Sequence, residues 1–359
     1  MSMQEQVRFF LGANSPRGFV SLFNQLEHGA EGWRMFVMKG GPGSGKSTLM
    51  KKVAARLMEQ GHRVELIPCA SDPDSLDAVI DHDGKLAMAD GTAPHVIEAK
   101  FPGAYETILF TGSAWDEARL QRRRPQIMEL AGIIGRLHGR ATAALTGAGA
   151  LLENNRALAA TAVDREAVAR LGRSLSSGWP AKEGCGKEDL RLLSAVSVGH
   201  VAFHAATLKA LVPVVYEIDD AWGAAAHALL SDLRARAQER GLDVIACPCS
   251  LVNPGKWEHL ILPEAGVAFT TANRFHRGQW AAGEVIPLEG GELMRSHKLT
   301  RELNDMQEQQ ALAGQLVLQA ALSVERAKDL HDDLEAEYVA AMDFEKLDAL
   351  CQQVLDQVL

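Results

Sequence analysis

The stretch that decides the fold of this chain is Gly40-Gly41-Pro42-Gly43-Ser44-Gly45-Lys46-Ser47. It follows the apolar run 35–38 and precedes a segment with apolar residues at positions 49, 53 and 57. Glycines let a backbone wrap an anion with its N–H groups pointing inward, and the following helix adds the positive end of its dipole. The stretch therefore predicts a phosphate-binding P-loop between a strand and a helix.

The P-loop pattern gives each polar residue a role. Lys46 is expected to reach the outer phosphates of a nucleotide, and Ser47 is expected to hold Mg²⁺. The alternative is an ordinary glycine-rich turn. The residues predicted to contact the nucleotide are Gly40, Gly41, Pro42, Gly43, Ser44, Gly45, Lys46, Ser47 and Thr48.

A second hold on the metal is expected at Asp90. The apolar run Leu86-Ala87-Met88-Ala89 predicts a strand that ends in this aspartate. A strand that delivers a carboxylate beside the phosphates helps to place Mg²⁺, directly or through water. Lys46 and Asp90 are therefore the predicted catalytic residues, and a turn aspartate before Gly91 is the alternative.

The catalytic base stays unassigned, because glycine follows Asp90 where many ATP-hydrolysing P-loop proteins have an acid. Asp72, Asp74 and His95 are candidates by position only. The two aspartates belong to segment 71–77, whose acidic residues predict a solvated loop.

Two further places could contribute to the site. Ser15-Pro16 is typical of a helix start, and a helix there could place Asn14 and Arg17 beside the nucleotide. The three arginines at 122–124 are expected to form a solvated face, with an arginine that reaches the nucleotide as the alternative.

Composition bounds the class of protein. A chain of 359 residues predicts two domains, and 47% hydrophobic with 23% charged residues is an ordinary globular balance. The net charge of −9 argues against nucleic acid as the main partner. Residues 1–10 lack the pattern of a secretory signal, and polar residues interrupt the apolar stretch 141–162. We therefore expect a cytoplasmic protein with no membrane span.

The five cysteines are expected to be reduced thiols, as is usual for a chain of this size in the cytoplasm. Cys247-Pro248-Cys249 could form half of a metal site. No second Cys or His pair stands at ligand spacing from it, so this sequence gives little support to a metal there.

The pattern of apolar residues predicts five segments. These are a P-loop α/β domain (1–113), a helical hairpin (114–176) with breaks at Pro125 and 147–149, a linker (177–190), a second α/β domain (191–291) and a C-terminal helical segment (292–359). The predicted class is α/β, a three-layer P-loop NTPase fold that is pseudo-duplicated, with each half followed by helices.

The second half repeats the first weakly. A shift of 180 lays Cys249 on Cys69 (249 − 69), and a shift of 181 lays His276 on His95 (276 − 95). Chance similarity between two α/β domains is the alternative.

The same shifts place Ala226 in line with Lys46, His227 with Ser47 and Thr271 with Asp90. Asp219 and Asp220 would add negative charge beside a phosphate, which Coulomb repulsion disfavours. The second half is therefore predicted to have lost nucleotide binding and to serve as a scaffold, a lid or a site for a small-molecule or protein partner.

With these residues in view, the chain resembles a little-characterised bacterial family of tandem P-loop ATPase-like proteins. The resemblance rests on four blocks in order: residues 10–19, the P-loop, residues 69–77 and residues 90–95. It implies ATP binding and hydrolysis of ATP, and it implies no particular substrate. Ala226, His227 and Thr271 depart from a second P-loop, which argues against two ATP sites.

Three functions follow from these patterns. The first is a soluble ATPase that couples hydrolysis to movement between the halves. The second is a kinase that transfers the γ-phosphoryl group to a small molecule bound by segment 71–77 and His95. The third is a non-catalytic nucleotide switch or scaffold whose second half and helical tail bind a partner.

Overall fold

The computed structural model describes residues 6–26 and 32–358. Residues 1–5 lie outside the described part of the chain, and the expectation about a secretory signal partly rests on them. The outer ends of the predicted segments 1–113 and 292–359 also lie outside it. The strands of the first half are β1 (Val7–Arg8), β2 (Gly12–Ser15), β3 (Gly18–Ser21), β4 (Arg34–Lys39), β5 (Val64–Cys69), β6 (Asp72–Asp81), β7 (Leu86–Asp90) and β8 (Glu106–Phe110).

The second half has a matching set of strands. They are β9 (Glu188–Leu190), β10 (Ser194–Val196), β11 (Val201–Phe203), β12 (Val214–Asp219), β13 (Val244–Pro248), β14 (Trp257–Leu262), β15 (Val267–Ala272) and β16 (Ile286–Glu289). The α-helices are α1 (Lys46–Glu59), α2 (Glu117–Ala160), α3 (Arg165–Ser176), α4 (Ala206–Leu211), α5 (Ala224–Glu239), α6 (Leu303–Val339) and α7 (Phe344–Val358).

Two six-stranded sheets share one strand order. The first runs β8-β4-β7-β6-β5-β1 and the second runs β16-β12-β15-β14-β13-β9. In each, the second strand of this order, β4 or β12, is parallel to both of its neighbours, and the fourth strand is antiparallel to the third. The predicted α/β class with a P-loop NTPase arrangement is confirmed, since the P-loop connects the parallel strand β4 to α1.

Side chains from both sheets meet in one apolar core. Val37 and Ala89 of the first sheet and Val215 and Ile261 of the second belong to it. Successive residues of a strand face opposite sides, so Phe36 points to the other face, where it packs with α1 and α7. Helices α3 and α5 cover the outer face of the second sheet in the same way. Complete burial of a large apolar side chain stabilises a fold by about 1.5–3 kcal/mol, so a core shared by both sheets helps to hold the halves together.

A third, four-stranded sheet joins the halves through two hairpins, β2–β3 and β10–β11, which pair through β2 and β10. Phe10 and Leu192, equivalent residues at a shift of 182 (192 − 10), exchange backbone hydrogen bonds with N···O distances of 2.7 and 3.0 Å. Reciprocal contact between equivalent residues is what a local twofold axis produces. The helix start predicted at Ser15-Pro16 is wrong, because the Ser15 hydroxyl accepts the Arg17 backbone N–H and closes a turn between strands.

Two other local predictions are also wrong. Segment 71–77 is not a solvated loop, because β6 begins at Asp72 and pairs with β5 and β7. Helix α2 runs unbroken through Pro125 and 147–149, since it packs along α6 through apolar residues such as Leu145 and Val317. Within the described ranges, no helix is long and apolar enough to cross a bilayer.

Candidate nucleotide-binding site

The P-loop lies at the carboxyl end of the parallel strand β4 and enters α1 at Lys46. Gly43 and Gly45 have φ angles of +65° and +77°, in the left-handed region that favours glycine. A Cβ atom at Gly40 would lie 2.2 Å from Oγ1 of Thr111, so the loop also packs too closely there for a side chain. The glycines thus give the loop its path and leave its N–H groups near the start of the helix.

Lys46 is the buried cation of this loop, with 9% of the residue exposed. Its Nζ donates to the backbone oxygens of Gly40 and Gly41, both at 2.8 Å, and lies 3.5 Å from Oδ2 of Asp90. The structure therefore brings together the two residues that were predicted to be catalytic.

Asp90 reaches the loop because β7 pairs with β4 and sets Asp90 opposite Met38. Its Oδ1 accepts the Thr92 backbone N–H at 2.9 Å, which fixes the carboxylate while Oδ2 faces Lys46. Ser47 stands next to Lys46, and its Oγ accepts the Leu76 N–H at 2.9 Å. A hydroxyl and a carboxylate at the start of α1 are oxygen donors of the kind that Mg²⁺ prefers, so these residues fit the metal.

The three candidate bases lie in different surroundings. Oδ2 of Asp72 lies 3.6 Å from Nζ of Lys328 on α6, and Asp74 is exposed. His95 is 6% exposed, lies edge-on to the Phe19 ring and tilted against the Phe23 ring, and places Nε2 at 3.2 Å from Oδ2 of Asp77. The structure brings Asp72 towards α6 and pairs His95 with Asp77, and it assigns a base to none of them.

The C-terminal helices pack against the P-loop, which the sequence did not predict. A Cβ at Gly43 would lie 2.6 Å from Cγ2 of Val339 on α6, and one at Gly45 would lie 2.9 Å from Cδ2 of Leu347 on α7. A Cβ at Gly41 would lie 3.1 Å from the Tyr338 ring. The amphipathic spacing of this tail signals a buried face, but it cannot show that the P-loop is what it covers.

Thr111 is a second residue that sequence reasoning missed. Its hydroxyl donates to Oγ of Ser44 at 2.8 Å. Its place just after the parallel strand β8 is a usable signal, because the carboxyl ends of neighbouring parallel strands meet at one edge of a sheet.

The equivalent loop of the second half is filled by its own carboxylate. Asp220 is 4% exposed, and its side chain accepts the backbone N–H groups of Trp222, Gly223 and Ala226 at 3.1, 3.0 and 2.8 Å. These groups lie at the start of α5, where a helix binds an anion. The carboxylate thus occupies the position that a phosphate takes at a P-loop.

This second loop is also shorter. Four residues, 220–223, separate β12 from α5, whereas six residues, 40–45, separate β4 from α1. Both helices end at the same shift, with Gly61 and Gly241 in left-handed conformations (241 − 61 = 180), so α5 has gained its extra length at its beginning. Thr271 lies opposite Ile218 as Asp90 lies opposite Met38, which supports the predicted alignment of Thr271 with Asp90.

The two outlying candidates lie elsewhere. Asn14 is in β2 and directs Nδ2 towards Oγ of Ser71 at 3.4 Å. Of the three arginines at 122–124, all exposed, Arg123 forms a bidentate ion pair with Glu337 on α6 at 2.7 and 2.6 Å. Arg123 therefore contacts α6 rather than the P-loop.

The sheet order, the loop and the helix that follows define a P-loop nucleotide-binding protein. A family model described as Methylmalonyl Co-A mutase-associated GTPase MeaB matches residues 19–79, which extend from β3 through the P-loop into β6. The match spans less than half of the chain and supports the P-loop NTPase superfamily. Searches of curated proteins and of solved structures give no match.

Proposed function

We propose that this chain is a Mg²⁺-dependent nucleoside triphosphatase whose nucleotide state is passed to α6 and α7. The observation that carries the proposal is the 3.5 Å approach of Lys46 Nζ to Asp90 Oδ2 at the start of α1. Lys46 and the loop N–H groups would hold the phosphates, and Ser47 and Asp90 would hold Mg²⁺. Bound Mg²⁺ supplies charge neutralisation on the phosphate oxygens, and phosphoryl transfer depends mainly on positioning and charge.

The coupling element is the pair of helices that contacts the P-loop. Glu335, Tyr338 and Val339 of α6 lie against Gly41 and Gly43. A triphosphate brings negative charge to the loop, which disfavours a nearby acid such as Glu335. The two sheets share one core, so we place the nucleotide-driven movement in α6 and α7 rather than between the sheets.

Two observations point to different nucleotides as the substrate. The MeaB description names a GTPase, which favours GTP, whereas the resemblance to tandem P-loop proteins implies ATP. The same description names a mutase-associated protein, which supports a protein partner for the moving helices.

The described residues do not favour the kinase alternative. An acceptor pocket built from segment 71–77 and His95 would have to admit a small molecule. Asp77 and His95 are 5% and 6% exposed, and Asp72 lies beside Lys328 of α6.

The test is to incubate the full chain with Mg·GTP and with Mg·ATP and to measure binding and phosphate release. Lys46→Ala should lower turnover by about 100-fold or more, as removal of one charge-stabilising donor does in other active sites. Lys52→Ala makes the same change at an exposed position of the same helix and should leave turnover unchanged. If the wild type bound neither nucleotide, the proposal would be wrong. Tight binding without phosphate release would instead establish the non-catalytic switch.

A further inference from the structure

Three chemically reactive side chains meet near the core that the two sheets share. Cys69 ends β5, Asp77 lies in β6 and His95 follows β7. One sulfur, one carboxylate oxygen and one ring nitrogen from these residues all lie within 4.8 Å of one another. None of these three residues is among those to which the proposed function assigns the phosphates or Mg²⁺.

This buried group lacks some of the hydrogen-bond and charge partners that burial normally requires. Asp77 and His95 are more than nine-tenths buried, and Nδ1 of His95 is buried with no hydrogen-bond partner in the described part of the chain. His95 is also the one basic side chain within ion-pair distance of Asp77 among the described residues. Burying a carboxylate is costly unless a cation compensates it, so the group is short of positive charge.

The second half contains the same three kinds of side chain, a thiol, a carboxylate and an imidazole, at the repeat shifts. Cys249, Glu258 and His276 correspond to Cys69, Asp77 and His95 at shifts of 180, 181 and 181 (249 − 69, 258 − 77, 276 − 95). Nδ1 of His276 lies 3.2 Å from Oε1 of Glu258, as the ring of His95 lies 3.2 Å from Asp77. The group has therefore survived in both halves, although only the first half has kept the P-loop.

The two groups differ in their buried cation. In the second half, Lys256 is 5% exposed and forms an ion pair with Glu258. The matching positions of the first half, at shifts of 181 and 180, are Ser75 and Leu76, which carry no charge (256 − 181, 256 − 180). An ammonium group thus supplies in one half the positive charge that the other half lacks.

We propose that Cys69, Asp77 and His95 bind a divalent transition-metal ion such as Zn²⁺, and that Lys256 takes the place of this ion in the second half. Thiolate, imidazole and carboxylate are the ligands that Zn²⁺ takes, and three protein ligands leave a fourth position for water or a further ligand. On binding, the Cys69 thiol loses its proton to solvent and the sulfur forms a bond to the metal. Because the thiol must lose its proton before its sulfur can bind, metal affinity should rise with pH.

The test uses Co²⁺ as a coloured substitute for Zn²⁺. The full chain, freed of metal with a chelator, is titrated with Co²⁺ and followed by the near-ultraviolet absorption of a cobalt–thiolate bond. We expect one equivalent to bind, the absorption to grow with pH, and added Zn²⁺ to abolish it. Cys69→Ser should remove the absorption, and His95→Gln should weaken Co²⁺ binding at least tenfold.

Two matched controls separate this site from other thiols. Cys249→Ser changes the equivalent residue of the second half, and Cys185→Ser removes an exposed thiol, so both should leave the absorption intact. Each variant is checked for wild-type circular dichroism, and His95→Gln provides a second variant that retains the sulfur. Absence of the absorption in the wild type, or its persistence in Cys69→Ser, would overturn the proposal.

Discussion

The P-loop of the first half and the loop at 220–223 start from the same strand order and reach different chemistry. In the first, Lys46 is held by loop carbonyls and faces Asp90. In the second, the Asp220 carboxylate satisfies the N–H groups at the start of α5. One loop is left to receive its anion from outside and the other carries its own. A loop in this position can thus serve as a structural element when an internal carboxylate and a shorter connection satisfy the start of the helix.

The largest expected effect comes from breaking a buried ion pair that connects the two halves. Arg191 and Glu65 form a buried bidentate pair between β5 and the second half, with 3% and 4% exposure. The symmetry-related positions are the apolar Phe9 and Ile245 (191 − 182, 65 + 180). Arg191→Met should cost about 3–5 kcal/mol in the free energy of unfolding, because it leaves Glu65 buried without its cation. Guanidinium titration measures this loss.

A matched surface pair gives the control. Arg63 is bidentate to Asp83, with an arginine side chain 77% exposed, so Arg63→Met should cost no more than about 1 kcal/mol. Equal losses in the two variants would show that the buried pair does not hold the halves together.

The second prediction addresses the self-filled loop directly. Asp220→Ala should lower the free energy of unfolding by about 1–3 kcal/mol, since it leaves buried N–H groups at a helix start without an acceptor. It should leave nucleotide hydrolysis unchanged. Asp219→Ala, at a neighbouring exposed aspartate paired with Arg277, should change stability little. Unchanged stability or loss of hydrolysis in Asp220→Ala would contradict this account of the second loop.

The sequence predicted the P-loop, the strand that carries Asp90 and the class of fold, because these depend on local patterns: glycines, an apolar run and helical spacing. It also placed Thr271 in line with Asp90, a position that the strand registers support. The prediction failed at Ser15-Pro16 and at segment 71–77, where strand pairing outweighed local signals for a helix start and a loop.

Long-range packing could not be predicted from these patterns. Tyr338 and Leu347 lie about 300 residues from the P-loop along the chain, and an amphipathic helix shows that it has a buried face without naming what it covers. The sequence indicated only part of the role of Asp220. Its charge argued against phosphate, but only the structure shows the carboxylate bonded to the start of α5.

The third prediction uses pH to measure how much the Arg191–Glu65 ion pair stabilises the fold. Burial alone would raise the pKa of the Glu65 carboxyl, but Arg191 and His82 outweigh it and hold this pKa at about 2 in the folded protein, below the ordinary glutamate value of 4.5. A lowered folded pKa means that this stability is present above about pH 4.5 and is lost as the pH falls towards 2. By pH 3.5 the loss should reach about 1 kcal/mol. Urea titrations of wild type and Glu65→Gln should therefore converge as the pH falls, and parallel curves would argue against the linkage.

The smallest expected effect concerns the contact of α6 with the P-loop. The Tyr338 ring lies beside Gly41 and 5.3 Å from the ring of Trp115. An aromatic pair is worth about 0.5–1.5 kcal/mol beyond its buried area, so Tyr338→Ala should favour the uncovered state and raise nucleotide affinity about two- to tenfold.

A fluorescent nucleotide titration measures this change, with Phe344→Ala, at an exposed phenylalanine of α7, as the control that should leave affinity unaltered. A rise in affinity limited to Tyr338→Ala means that α6 competes with the nucleotide for the loop. A fall would mean that the tyrosine belongs to the binding site itself. The direction of the change therefore decides whether the C-terminal helices cover the P-loop or complete it.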